Sequence, residues 1–211
     1  MVRDPKVGAT ASTDAVGGTG AGRIFVLGIG NVLTGDDALG PTVVNTLEVE
    51  WALPPEVVVL DAGTPGMDLV ALAAGAERII VVDTVLTDGP PGTLKVYDRE
   101  TLLGKSLTPR VNPHAPGLIE SLFTLDLSGD GPTGVRLIGV VPEATDVGIG
   151  MSDALTASVP RVIAEIVEML REWGVSPAPA RDRVEPDLWW QVAARGAFIR
   201  GSSSRAGGSD A

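Results

Sequence analysis

The chain contains a single histidine, His114, and no cysteine. Any chemistry that needs an imidazole must run through that one residue. A disulfide framework, thiolate metal sites and a cysteine nucleophile are all excluded. His114 lies in the proline-bracketed stretch Val111-Asn-Pro-His-Ala-Pro-Gly117, just ahead of an apolar helical pattern. Three aspartates, Asp37, Asp61 and Asp83, each follow an apolar run of strand character. Two carboxylates and one imidazole make an open three-ligand set. Such a set suits a borderline divalent metal and leaves a position for water or substrate.

Each of these residues also has a plainer reading. A helix N-terminus disfavours a nearby cation, so an imidazole ahead of Pro116 is biased toward its neutral, ligating form. His114 could equally be a loop histidine with no task. Asp83 ends the run Ile79-Ile-Val-Val82, where a charge would be costly if buried unpaired, but strand-end aspartates also serve turns and caps. Asp36 and Asp37 invite a reading as helix caps. Only one of the two can be the N-cap, so the other needs a cation or solvation.

The elements that must position these groups alternate in type. Arg23-Ile-Phe-Val-Leu-Gly28 reads as a short buried strand. Leu39, Val43, Val44, Leu47 and Trp51 recur at helical spacing, with Pro41 in the first turn. Val57 to Asp61 is a second strand. Thr64 is placed to cap a second helix, with Pro65 at its first position and Gly75 closing it. Arg78 to Asp83 is a third strand. The connection to a fourth, around Leu94 to Tyr97, is too short for a parallel crossover, which predicts that the fourth runs antiparallel to the third. Leu118, Ile119, Leu122, Phe123 and Leu125 form another helical face. Val135 to Val141 is continuous in apolar character and therefore central. A last helix carries Val159, Val162, Ile163, Ile166, Val167 and Leu170 and ends at Gly174. The pattern is that of an α/β sandwich on a mostly parallel sheet. In such sheets ligands bind beyond the carboxyl ends of the strands, where the three aspartates are expected.

The glycine-rich loop after the first strand does not fit a nucleotide. Gly28-Ile-Gly30 sits where a dinucleotide turn would, but the third glycine is missing at the required spacing. Gly30 to Gly35 has the spacing of a phosphate loop, yet Asp36-Asp37 stands where Lys-Ser/Thr belongs and would repel a triphosphate. A nucleotide-using enzyme is the weakest of the readings.

Composition sets the outer limits. The 211 residues suit one domain with tails. A formal net charge of -11 argues against nucleic acid or an anionic membrane surface as partner. No apolar run approaches the ~20 residues of a membrane span, and the N-terminus lacks the apolar stretch of a signal peptide. A cytoplasmic protein is expected. Met1 to Gly22 reads as a disordered arm and residues 23–174 as the folded domain. Residues 175–211 read as a tail: a linker through Pro177, Pro179 and Arg181 to Arg183, then a short amphipathic helix from Leu188 to Ile199, then a disordered end from Gly201.

Between Ile24 and about Gly174, several motifs occur in a specific order. They are Gly28-Ile-Gly-Asn-Val-Leu-Thr-Gly-Asp-Asp-Ala-Leu-Gly40, Asp61-Ala-Gly-Thr-Pro-Gly66 with Met67-Asp-Leu-Val70, then Asp83, Pro113-His114 and Gly139-Val-Val-Pro-Glu143. The combination resembles the hydrogenase maturation proteases, endopeptidases that process the large subunit of nickel–iron hydrogenases. The resemblance implies a three-layer α/β/α sandwich over a five-stranded, mostly parallel mixed sheet with one antiparallel strand. It implies a metal-dependent endopeptidase of aspartic or metallo type. Such an enzyme removes a short C-terminal peptide from a nickel-loaded large-subunit precursor, cutting on the carboxyl side of a basic residue. The nickel arrives with the substrate, and no organic cofactor is implied.

Asp37, Asp83 and His114 match the family's metal-contacting positions. Asn31, Asp36, Asp61, Gly63, Thr64 and Gly66 lie in the same motifs and are candidates for positioning substrate or supporting the ligands. An alternative on the same scaffold is a nickel-dependent checkpoint chaperone that binds the precursor without cutting. Many members of the family carry Gln directly after the histidine. Here Ala115-Pro116 follow, so no role for that amide carries over. The arm and the tail lie outside the resemblance.

Overall fold

The structure is a computed structural model that describes residues 22–66, 69–104, 115–182 and 184–191. In chain order the elements are β1 (Arg23–Ile29), α1 (Leu39–Glu50), β2 (Trp51–Ala52), β3 (Val57–Gly63), α2 (Leu69–Ala73) and β4 (Ala76–Thr84). They continue with β5 (Leu94–Asp98), α3 (Arg99–Leu103), α4 (Ala115–Ser128), β6 (Gly134–Val140), α5 (Asp153–Glu172) and β7 (Ala178–Pro179). A 3-10 turn over Gly35–Ala38 precedes α1.

Five strands form one sheet in the order β3-β1-β4-β6-β5. β1 pairs in parallel with β3 and β4, and β4 pairs in parallel with β6. β5 runs antiparallel on the outer edge of β6. The direction expected for the fourth strand is therefore correct, while its hydrogen-bonded partner is β6 rather than the strand before it. β6 is an inner strand, as expected from its apolar character, with Arg136 the one charged residue in it.

The sheet is covered on both faces, which gives the expected three layers. Side chains alternate along a strand, so successive residues feed different cores. Val26, Ile80, Val82, Ile138 and Val140 pack with α1 and α5 on one face. Phe25, Leu27, Ile79, Val81, Val135 and Leu137 pack with α2, α3 and α4 on the other. Each fully buried aliphatic side chain contributes about 1.5–3 kcal/mol, which is why β4 reads as a continuous apolar run. α5 shows the local logic most fully. The Ser152 side chain accepts the Leu155 N–H at its N-cap, Asp153 and Arg171 complement the helix dipole at the two ends, and Gly174 stops it at φ 84°.

Several expectations need correction. Thr64 and Pro65 lie in an irregular turn, and the described residues of α2 begin at Leu69. Trp51 does not continue α1: it is extended, with φ -129° and ψ 131°, and starts β2. Phe123 is 49% exposed, so the buried stripe of α4 is Leu118, Leu122 and Leu125. The short helix α3 was not foreseen. Ordered structure also continues past Gly174, because Ala178–Pro179 pairs antiparallel with Trp51–Ala52 where a linker was expected. In the tail, the described helical residues are Trp189 to Gln191, and Trp190 is buried at 4% exposure. The arm up to residue 21, His114 itself and the stretch from residue 192 lie outside the described residues. Among the described residues, no helix is long and apolar enough to cross a membrane.

Candidate active site at the carboxyl edge of the sheet

β1 and α1 must lie almost in contact to bring the first motif to the sheet edge. A Cβ added at Gly40 would sit 2.2 Å from the Ile29 carbonyl oxygen, and one at Gly28 would sit 2.3 Å from the Gly40 carbonyl oxygen. Gly30 has φ 145°, and a Cβ there would lie 1.9 Å from the Asp37 carbonyl oxygen. These glycines serve a tight strand-to-helix turn, not a phosphate. The turn returns the chain so that Asp36 and Asp37 face inward.

Neither aspartate caps a helix: the 3-10 turn and α1 both lack a side-chain cap bond. Asp37 is 6% exposed. Its Oδ2 accepts the Asn31 N–H at 2.9 Å, and the Thr34 hydroxyl, which donates to the Asn31 carbonyl at 2.9 Å, lies 3.4 Å from the same oxygen. Its Oδ1 accepts the Thr84 hydroxyl at 3.2 Å.

Asp36 has a different task. Its Oδ2 accepts the N–H groups of Glu143 at 2.7 Å and Ala144 at 3.2 Å, together with the Ser152 hydroxyl at 3.0 Å. Its Oδ1 accepts the Ser152 N–H at 2.6 Å. The carboxylate thus ties the loop after β6 and the start of α5 to the first motif. Neither solvation nor a cation is needed to explain it. At 1% exposure its carboxylate is taken up by the backbone and hydroxyl groups of those two segments.

Asp83 is 1% exposed at the end of β4, opposite Gly139 of β6. Its Oδ1 accepts the Thr84 N–H at 2.7 Å. By the alternation along β4, Asp83 belongs to the face of Ile79 and Val81, and Thr84 to the face of Ile80 and Val82. Asp37 comes from the layer of α1, while Asp83 points toward the layer of α2 and α4. Thr84 joins them in one hydrogen-bonded chain across the end of the sheet.

Asp61 is exposed, and its Oδ1 accepts the Gly63 N–H at 3.0 Å, closing a turn in which Gly63 has φ 56°. Asp61, Gly63 and Thr64 line a hollow of about 260 Å³ with Gly30, Asn31 and Pro41. A second hollow of about 160 Å³ lies between Ile29, the Thr64 to Gly66 turn and the start of α4 at Gly117 and Leu118. A Cβ added at Gly117 would be 3.4 Å from the Gly66 Cα, so the first turn of α4 lies on that turn. α4 begins at Ala115, the residue after His114. The described residues, which leave out His114, contain no group of three His, Cys, Asp or Glu able to hold a metal ion.

The edge therefore brings Asn31, Asp37, Asp83 and Asp36 into one bonded region, with Asp61, Gly63, Thr64 and Gly66 around two adjoining hollows. Sequence reasoning missed Thr84 and the Ser152 anchor. Thr84 was adjacent to a suspected acid, but its hydroxyl partner is 47 residues away.

A family model described as hydrogenase maturation protease matches residues 41–169. The chain is similar to the hydrogenase 2 maturation protease of Escherichia coli K12, 34% identical over 158 residues, which span 74% of this chain and 96% of that protein. It is also similar to the hydrogenase expression/formation protein HupD of Rhodobacter capsulatus, 34% identical over 187 residues covering 86% of this chain and 87% of that one. Among solved structures, the hydrogenase maturating endopeptidase HybD from E. coli matches with a TM-score of 0.67 at 33% identity, covering 74% of this chain and 97% of that chain. The NiFe hydrogenase maturation protease HybD from Thermococcus kodakarensis matches with a TM-score of 0.57 at 28% identity, covering 70% and 98%.

Proposed function

The chain belongs to the hydrogenase maturation protease family, and from that membership we propose that it removes the C-terminal extension of a nickel-loaded hydrogenase large-subunit precursor. The observation that carries the reading is the Asp37–Thr84–Asp83 chain at the carboxyl edge of the sheet, with Asn31, whose N–H holds Asp37, lining one of two hollows at that edge. An acid pair offers hard oxygen donors, and the lone imidazole of His114 completes a set suited to nickel. The ion belongs to the substrate, so these three residues meet it only when the precursor docks.

In this reading Asp37, Asp83 and His114 grip the substrate's nickel and so fix the nearby peptide against the edge. The hollow beside Asp61 and Thr64 receives the chain next to the scissile bond. Water adds to the scissile carbonyl, the C–N bond breaks, and the products are a new carboxylate and a free amine. Polarisation of the carbonyl, or of the attacking water, by the substrate's own ion lowers the barrier.

The experiment is processing of a purified nickel-loaded precursor, followed by intact mass. The wild-type chain is expected to release the C-terminal peptide, and His114→Ala to release none. Unchanged cleavage by His114→Ala sinks the assignment of His114. A stable complex of wild-type chain and precursor without mass loss favours a checkpoint chaperone instead.

A further inference from the structure

We propose that Thr84 is a positioning residue that sets both acids of the site through two different donors, an inference that rests on Asp37 and Asp83 being the groups that meet the substrate. Its hydroxyl donates to Asp37 Oδ1 at 3.2 Å, and its backbone N–H donates to Asp83 Oδ1 at 2.7 Å. Thr84 is the last residue of β4 and is 2% exposed.

The placement follows from strand geometry. Asp83 and Thr84 are consecutive, so their side chains leave opposite faces of the sheet. Asp37 arrives from the layer that covers the Thr84 face. A single residue at this corner can therefore reach one acid with its side chain and the other with its backbone. Thr84 is also paired with Val140 in the sheet, and the Val85 N–H bonds the Val140 carbonyl at 2.9 Å, so the corner is fixed against β6. A β-branched side chain has few χ1 choices, which fixes the direction of the hydroxyl.

The hydroxyl holds the side of Asp37 that faces β4. The Asn31 N–H holds the other oxygen, from the loop after β1. Without the Thr84 hydroxyl, Asp37 Oδ1 would lie buried beside a methyl group, a desolvated acceptor that has lost a donor. The carboxylate would turn away from that position. The backbone donor to Asp83 would survive the same substitution. Only the spacing between the acids would change, and support residues around ligand carboxylates act in this way on activity.

The test compares Thr84→Val, which keeps the shape and removes the hydroxyl, with Thr84→Ser, which keeps the hydroxyl. Both are assayed for processing of nickel-loaded precursor, for thermal midpoint, and by crystal structure. Thr84→Val is expected to lose about 10- to 100-fold in kcat/KM, with Thr84→Ser within about threefold of the wild type. The two variants should have similar midpoints, and the Asp37 carboxylate should be displaced in Thr84→Val alone. Equal losses in both variants, or full activity in Thr84→Val, overturn the proposal. If the wild-type chain itself fails to cut, the proteolytic reading fails. The crystal structures then decide the role of Thr84, and an unmoved Asp37 carboxylate in Thr84→Val overturns it.

Discussion

Asp36 offers the sharpest test of how the site is supported. Its carboxylate, 1% exposed, receives three backbone N–H groups and one hydroxyl, from Glu143, Ala144 and Ser152. Asp36→Ala removes the acceptor for all four donors. Glu143 and Ala144 are exposed, so water can satisfy their N–H groups, but Ser152 is half-buried at the N-cap of α5. Two charge-assisted bonds lost at Ser152 cost about 1.5–3 kcal/mol each, and a weakened cap adds up to about 1 kcal/mol. Because the effects overlap, the expected total is about 4 kcal/mol, a large share of a typical domain's ~5–15 kcal/mol. With a urea slope of about 2 kcal/mol/M, the unfolding midpoint should fall by about 2 M. Asp36→Asn should cost less, about half as much, since one oxygen still accepts while its amide opposes a donor. Urea unfolding by circular dichroism gives the answer. A midpoint for Asp36→Ala within about 0.5 M of the wild type would refute the latch, because a solvated surface carboxylate would behave that way.

Two further outcomes follow from particular contacts. Gly40→Ala places a Cβ 2.2 Å from the Ile29 carbonyl oxygen, so α1 must move off β1. The expected loss is at least ~1–3 kcal/mol by thermal melting, and a neutral result would mean the helix and strand are not in this close contact. Asp98 caps α3, and the Thr101 hydroxyl, then the Thr101 N–H at 2.8 Å, hold its carboxyl below the usual carboxylate range. Since the folded value is the lower one, the stabilisation is complete above the unfolded value of about 3.9 and is lost as pH falls through the folded value. The stability gap between wild type and Asp98→Asn should therefore be wider at about pH 6 than at about pH 3, and a constant gap would contradict the cap.

The parts of the molecule that were legible in the sequence are those with short-range causes. The apolar character of Val135 to Val141 announced a central strand, and the charge that ends the run from Ile79 to Val82, which is buried on both faces, announced an edge. The short link before Leu94 disclosed a reversal of direction, because a parallel crossover needs more chain. That link did not disclose the pairing partner, since β5 joins a strand that begins at Gly134. Helical spacing put Phe123 with Leu118 and Leu122, but α4 buries only a narrow stripe, and Phe123 falls outside it at 49% exposure. Within the site, Asp37 and Asp83 were readable as strand-edge acids. The work of Asp36 was not, because its donors lie 107 to 116 residues further on and are mostly backbone N–H groups, which any residue type would supply. Thr84 was hidden for a similar reason: a threonine after a strand-end acid carries no signal until the other acid's position is known.

The same long reach has a consequence for the order of synthesis. The first motif leaves the ribosome early, yet the N–H and hydroxyl of Ser152 that hold Asp36 are made 116 residues later. At ~5–20 residues per second, that interval is about 6–23 s. Until it passes, Asp36 has only water for a partner, and the turn that presents Asp37 lacks its clasp to the later half of the chain. A nascent N-terminal half therefore cannot hold this edge as the finished fold does. The first turn of α5 supplies the clasp, so the edge is complete only once nearly the whole domain exists.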